Sequence, residues 1–266
     1  MFGHSLTITI NITYVSHYDI LTIYSLSDAT SMDHIISAQP GLVPRIDSKH
    51  TRERISTGCV FFNHVSGLSY THMQTSCNNE QTIEAKHAYE RFATNHGVKL
   101  KRFHTDNGIF AENAFRAVID EAPGQSITYC GVGAHHQNGL VERHIGNLTF
   151  GSRAGLLHAH RQWPQAIGTI LWPFAWKDHE RKYNHFNLDK DGRSPMNKFT
   201  GIDTRPEVRD FHPFECPVFV LDSRIQGRGA IPKGNLSWTL ALSCWFSRIS
   251  FEPEDTHSFT TIQSCF

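Results

Sequence analysis

The chain has 266 residues, 39% apolar and 19% charged, so one domain or two small ones with a packed core is expected and global disorder is not. Its 25 basic and 25 acidic side chains cancel, so any attraction for nucleic acid has to come from a local patch; the 18 histidines add positive charge only in acid. Six cysteines scattered without a Cys-x-x-Cys argue against a zinc cluster or a disulfide framework and fit reduced thiols in an intracellular protein, and no unbroken apolar run is long enough to span a membrane.

Residues 1–30 are rich in Thr, Ile, Tyr and Ser, strand-like but without a motif and without the basic start of a signal peptide. Ser31-Met-Asp33-His34 supplies a candidate acid. Residues 47–55 read as a polar loop. Cys59–Phe62 and Leu68–Met73 then read as a hairpin turning through Asn63–Gly67. A helix is expected over Asn79–His96. Glu80, Glu84, Lys86, Glu90 and Arg91 would form its polar face, Ile83, Ala88, Tyr89, Phe92 and Ala93 its apolar face, and Gly97 its C-terminal stop. Lys99, Lys101 and Arg102 lead into a strand that ends at His104-Thr105-Asp106, followed by an Asn107-Gly108 turn. A short helix over Glu112–Asp120 turns Phe115, Val118 and Ile119 inward, and Ser126–Cys130 is a β-branched strand.

The Gly131–Gly139 loop carries His135, His136, Gln137 and Asn138, donors without fixed charge, and opens into a helix running to about His160. On that helix Leu140, Ile145, Leu148, Ala154, Leu156 and Leu157 are expected to pack, while Arg143 and Arg153 are candidate phosphate contacts. A second helix is expected from about Gln165 to Asn184, interrupted or kinked near Trp172-Pro173, with its aromatics serving core or dimer packing rather than base stacking. Ser194-Pro195 starts a last short helix, and Phe214–Leu221 reads as a strand pair with a turn at Asp222.

Asp106 ends a strand and Glu142 stands in the first turn of a helix, with 35 residues between them. Alone, each reads as a surface carboxylate. Together with a third acid they could hold a pair of Mg²⁺ ions, which take oxygen ligands and stabilise both ends of an in-line phosphoryl displacement.

His104–Asn107, that interval and Gln137-Asn-Gly-x-x-Glu142 are similar to the integrase core of retroelements. The longer run through Ala134–Gly139, Leu157-His-Ala159, Leu171–Phe174 and Ser194-Pro195…Gly201 resembles copia-type retrotransposon integrases, over roughly residues 30 to 235. The resemblance implies a ribonuclease-H-like α/β core, a mixed five-stranded sheet flanked by helices in three layers. It implies Asp33, Asp106 and Glu142 as catalytic, metal-holding acids for two Mg²⁺ or Mn²⁺, and Asn107, His135, His136, Gln137, Asn138, Arg143 and Arg153 as DNA-binding residues. Element and target DNA, a homo-oligomer and a nuclear site of action follow from the same resemblance. Relatives carry Asp where Asn63 stands, which makes Asn63 a possible neighbour of the site while the family acid falls one strand earlier, at Asp33.

The expected division is an unassigned segment over 1–27, the catalytic core over 28–201, a small β-rich segment over 202–238 and an unassigned tail over 239–266. His4 and His17 come without a cysteine, so the family's zinc region is not expected, and the chain reads as a fragment of a longer polyprotein. A decayed or co-opted nucleic-acid-binding module and a ribonuclease-H-type nuclease are the competing functions.

Overall fold

β-branched and aromatic residues recur in the first three strands. In the computed structural model, which describes residues 29–43, 51–131, 138–203, 206–207, 211–214, 216–221, 238–244 and 247–249, they are β1 (Thr30–Leu42), β2 (Arg54–Asn63) and β3 (Ser69–Gln74). They pair antiparallel. β4 (Arg102–Thr105) and β5 (Ser126–Tyr129) add in parallel on the other side of β1, giving the order β3-β2-β1-β4-β5. An antiparallel hairpin followed by two parallel crossovers, in that order, is the ribonuclease-H-like sheet.

Helix α1 (Asn79–Asn95) and helix α2 (Asn113–Glu121) cover one face of the sheet. Met32 and Phe61 meet Ala85, Tyr89, Phe115 and Ile119 there. Helix α3 (Gly139–Gln162) and helix α4 (Trp172–Phe186) cover the opposite face, where Ile35 and Val60 meet Val141, Leu148 and Trp176. A short α5 (Pro195–Thr200) follows, with Ser194 Oγ accepting the Asn197 amide at 3.1 Å and Gly201 closing it at φ 70°. The α1 end is as expected: Gly97 sits at φ 73° and the Val98 amide bonds back to the Ala93 carbonyl.

Several expectations on side chains are corrected. Lys86 belongs to the buried stripe Thr82, Ala85, Lys86, Tyr89 and Ala93, not to the polar face of α1. Its ammonium is satisfied by Glu90 at 2.8 Å and lies over the Phe103 ring. On α3 the buried residues are Val141, His144, Leu148, Ser152 and Ala159, while Ala154 and Leu157, expected inside, face out. Val118 is half-buried. The helix expected over 165–184, interrupted or kinked near Trp172-Pro173, is interrupted there: a turn and a 3₁₀ segment at Thr169–Leu171 precede α4, because Pro173 takes the first turn of a helix rather than its middle.

A second sheet of three antiparallel strands joins β6 (Pro217–Leu221), β7 (Trp238–Cys244) and β8 (Ser247–Ile249). The strand expected to pair with β6 inside 214–221 is thus supplied by β7, and Trp238, drawn as a segment end, is the first residue of that strand. Asp222 and the segment 1–28 lie outside the described residues.

Candidate functional site

β1 and β4 run parallel with Ser31 opposite His104. Asp33 stands two residues beyond that pair on β1, and Asp106 two residues beyond it, just past the last residue of β4. Side chains alternate along β1, so Asp33 lies on the face that carries Ile35 and that α3 covers. Glu142 stands in the first turn of that helix. The start of the helix is tied to β1 directly: the buried Asn138 amide donates to the Met32 carbonyl, one residue before Asp33, at 3.1 Å.

Backbone amides fix the two strand acids. Asp33 accepts from the His34 amide at 2.7 Å, and Asp106 from the Gly108 amide at 3.2 Å across the Asn-Gly turn. Asn107 donates to the Cys130 carbonyl at 2.8 Å, joining the ends of β4 and β5 beside the acids. Burial lifts the Asp33 carboxyl to about 6, partly countered by the His34 amide, and the charges of Asp106 and Glu142 push the same way as burial. Burial also raises the Cys130 thiol, with Asp106, Glu142 and Asp33 adding to it. Burial holds the His34 imidazole down to about 4. All three acids therefore act on one neighbourhood.

They do not close into a single coordination shell: among the described residues no three His, Cys, Asp or Glu side chains form a group able to hold a metal ion. The donor chemistry nonetheless fits Mg²⁺ or Mn²⁺, being hard carboxylate oxygen. A carboxyl whose ionisation is opposed by two like charges is what a divalent cation relieves.

Of the other expected site residues, Asn107 is exposed beside Asp106, and Arg143 and Arg153 are exposed on α3. Asn138 is buried, so its amide positions the helix instead of presenting an open face. His135, His136 and Gln137 lie outside the described residues. Asn63 is not a neighbour of the acids. It pairs with Thr30, three residues before Asp33, and its side chain caps the hairpin by accepting from the Ser66 amide at 2.9 Å and hydroxyl at 2.8 Å.

Sequence reasoning missed a buried network on the same face of the sheet. Glu180 of α4 accepts from Ser69 Oγ at 3.0 Å and Thr71 Oγ1 at 2.6 Å and pairs with Lys177 at 2.9 Å. Asn184 both donates to and accepts from the Ser69 backbone. The signal was present: Pro173, Trp176, Glu180 and Asn184 fall on one helical stripe.

No protein-family model matches the chain, and no curated protein does. Among solved structures it is similar to the HTLV-2 integrase catalytic core domain in complex with magnesium, at 15% identity over 65% of this chain and 96% of that one, TM-score 0.45. It is similar to the BIV integrase catalytic core domain at 16% identity over 66% and 95%, TM-score 0.46. A simian T-cell lymphotropic virus intasome in complex with the PP2A regulatory subunit B56 gamma aligns at 14% identity over 81% and 68%, TM-score 0.48. The fold assignment rests on strand order and connectivity, independently of these likenesses.

Proposed function

We propose that the chain is the catalytic core of a copia-type retrotransposon integrase, a metal-dependent phosphoryl transferase that joins element DNA 3′ ends to target DNA. The observation that carries the reading is that Asp33 on β1 feels the charges of both Asp106, just past the end of the neighbouring parallel strand, and Glu142, on a helix pinned to β1 by Asn138. The motif order in the sequence supports it.

In this reading the three carboxylates would hold two divalent ions, which would supply charge stabilisation for the phosphoryl displacement. The chain's own residues set the geometry. The His34 and Gly108 amides orient the two strand acids. The Asn107–Cys130 bond holds the Asp106 turn against β5. Exposed Arg143 and Arg153 take phosphates along α3. The reaction is one transesterification: a hydroxyl oxygen attacks phosphorus, the bond to the 3′-oxygen breaks, and no protein-bound intermediate forms.

The parent chain should nick duplex DNA carrying element ends in Mn²⁺, and Asp106→Asn or Glu142→Gln should lower the rate at least roughly a thousandfold, a loss of several kcal/mol of charge stabilisation. Unchanged nicking in both variants, with DNA binding retained, rejects the assignment. A second reading, a nucleic-acid-binding module without turnover, is favoured by the absence of a closed metal-holding group among the described residues. Binding to branched ends with no turnover in Mn²⁺ supports that reading.

A further inference from the structure

The outer half of β1 does not stay in register with β2. Ile36 opposes Thr57 and Gly41 opposes Ile55, so the four residues Ser37–Pro40 bulge against Ser56 alone. Bulges of this kind re-aim side chains beside functional sites. This one is held rigidly. The Trp172 indole N–H donates to the Gln39 carbonyl at 3.0 Å, and the Ser37 hydroxyl bonds Gln39 at 2.8 Å. Gly41 lies so close to α4 that an added Cβ would fall within the Pro173 ring and against the Trp172 indole nitrogen. The bulge therefore cannot slide.

Between the bulge and α3 opens a cavity of about 500 Å³, walled by Ile36, Gln39, Thr149, Arg153, Leu156 and Trp172. Its surface is mainly apolar and carries no acid. The Trp172 N–H is already engaged, which leaves the carbon surface of the ring to line the space. Ile36 is 79% exposed at the rim, and Arg153 has no acid partner among the described residues. The cavity continues the face of β1 on which Asp33 stands, since Ile35 also lines it. Along α3, Arg153 is eleven residues from Glu142, roughly 16 Å at the helical rise. That is about five phosphates along one strand of a duplex, and fewer along a stretched strand.

We propose that this cavity is a nucleobase subsite. It receives one unpaired base of a bound DNA strand, within about five nucleotides of the reacting bond, with Trp172 and Ile36 against the base and Arg153 on its phosphate. An apolar slot with an aromatic wall and a single guanidinium at its mouth suits a base attached to an anionic backbone. An apolar side chain of a protein partner needs no cation there. The proposal rests on the DNA-joining reading for the position of the strand, and the test separates the two.

The test uses the full chain and element-end DNA with a single-stranded overhang, carrying 2-aminopurine at each position in turn. Emission should fall at least twofold on binding at one position within about five nucleotides of the cleaved bond, and little elsewhere. Thr149→Phe fills the mouth from an exposed position on α3. It should abolish that local quench and weaken binding by roughly five- to a hundredfold, the loss of one stacked base. Substrates cut short of that position should bind and be nicked by Thr149→Phe as by the parent, which shows that the variant is folded. Quenching spread evenly over all positions, or a local quench untouched by Thr149→Phe, overturns the subsite and leaves the cavity to a protein partner. A local, Thr149-sensitive quench without nicking in Mn²⁺ upholds the subsite and overturns the catalytic reading alone.

Discussion

Asp33 carries the largest local cost of the site. A carboxyl lifted from 3.8 to about 6 keeps a proton in the folded state that the unfolded chain has released. Its contribution to stability is therefore present below about pH 4 and is lost as pH rises through about 6. His34 and His144, both held down to about 4 by burial, act in the opposite sense: they favour unfolding in acid, and that effect disappears above about pH 6.5. Asp33→Asn removes only the first component. In metal-free buffer its stability gain over the parent should grow between pH 4 and 6 and level off at roughly 1–3 kcal/mol. Urea unfolding at each pH measures the gain, and a difference independent of pH contradicts the assignment of strain to this carboxyl. The positions of Asp106 after a strand and of Glu142 in the first turn of a helix were legible in the sequence from an Asn-Gly turn and a helix start, whereas Asp33 was singled out by the family resemblance. Asn63 was not. A residue's type at a hairpin end does not say how far along the strand it stands from Asp33, and only the β1–β2 register does.

Among the elements, α4 is the one whose sequence misleads most. Asp178, Glu180, Arg181 and Lys182 look like a solvated run, yet Glu180 is 4% exposed and receives two hydroxyls of β3. Thr71 also accepts the Trp176 indole N–H at 2.9 Å, so the network fastens helix to sheet through a shared oxygen. Glu180→Ala strands those hydroxyls and the Lys177 ammonium and should cost roughly 3–5 kcal/mol, as breaking a buried pair does. Glu180→Gln keeps an acceptor of the same shape and should cost about half as much or less. Chemical denaturation of the two variants measures this, and equal losses would show that shape, not the acceptor, matters. The same blindness explains Lys86. Composition assigns lysine to the surface, and nothing local announces that Glu90 and an aromatic ring wait for it inside. On α3 the error was rotational: Leu148 was placed inside correctly, but apolar Ala154 and Leu157 drew the stripe away from Val141, His144 and Ser152, which are in fact buried. Element type and order were recoverable from periodicity and turn residues; the facing of each helix was set by what the sheet needed to bury.

For the whole molecule, zero net charge means that affinity for a polyanion depends on where the cations stand. Arg143, Arg153 and Arg161 all project from the exposed side of α3. Removing Arg143 and Arg153 together should flatten the dependence of log K on log salt by about 1.5–2 units, close to one per lost phosphate contact, in anisotropy titrations from 50 to 200 mM salt. An unchanged slope would place the DNA on another face. The three-layer core was readable from the alternation of strands and helices, whereas the pairing of β6 with β7 was not, because sixteen residues separate them and no motif links them.

On the proposed reading Asp33, Asp106 and Glu142 together hold the metal. Crystals of the chain soaked in Mn²⁺ test it most directly, through the anomalous signal of the ion. A peak shared by the Asp33 and Asp106 carboxylates is expected, with Glu142 drawn in to complete the shell. Mn²⁺-saturated crystals with no peak at these acids, or with Asp33 turned away while another acid takes its place beside Asp106, would contradict it.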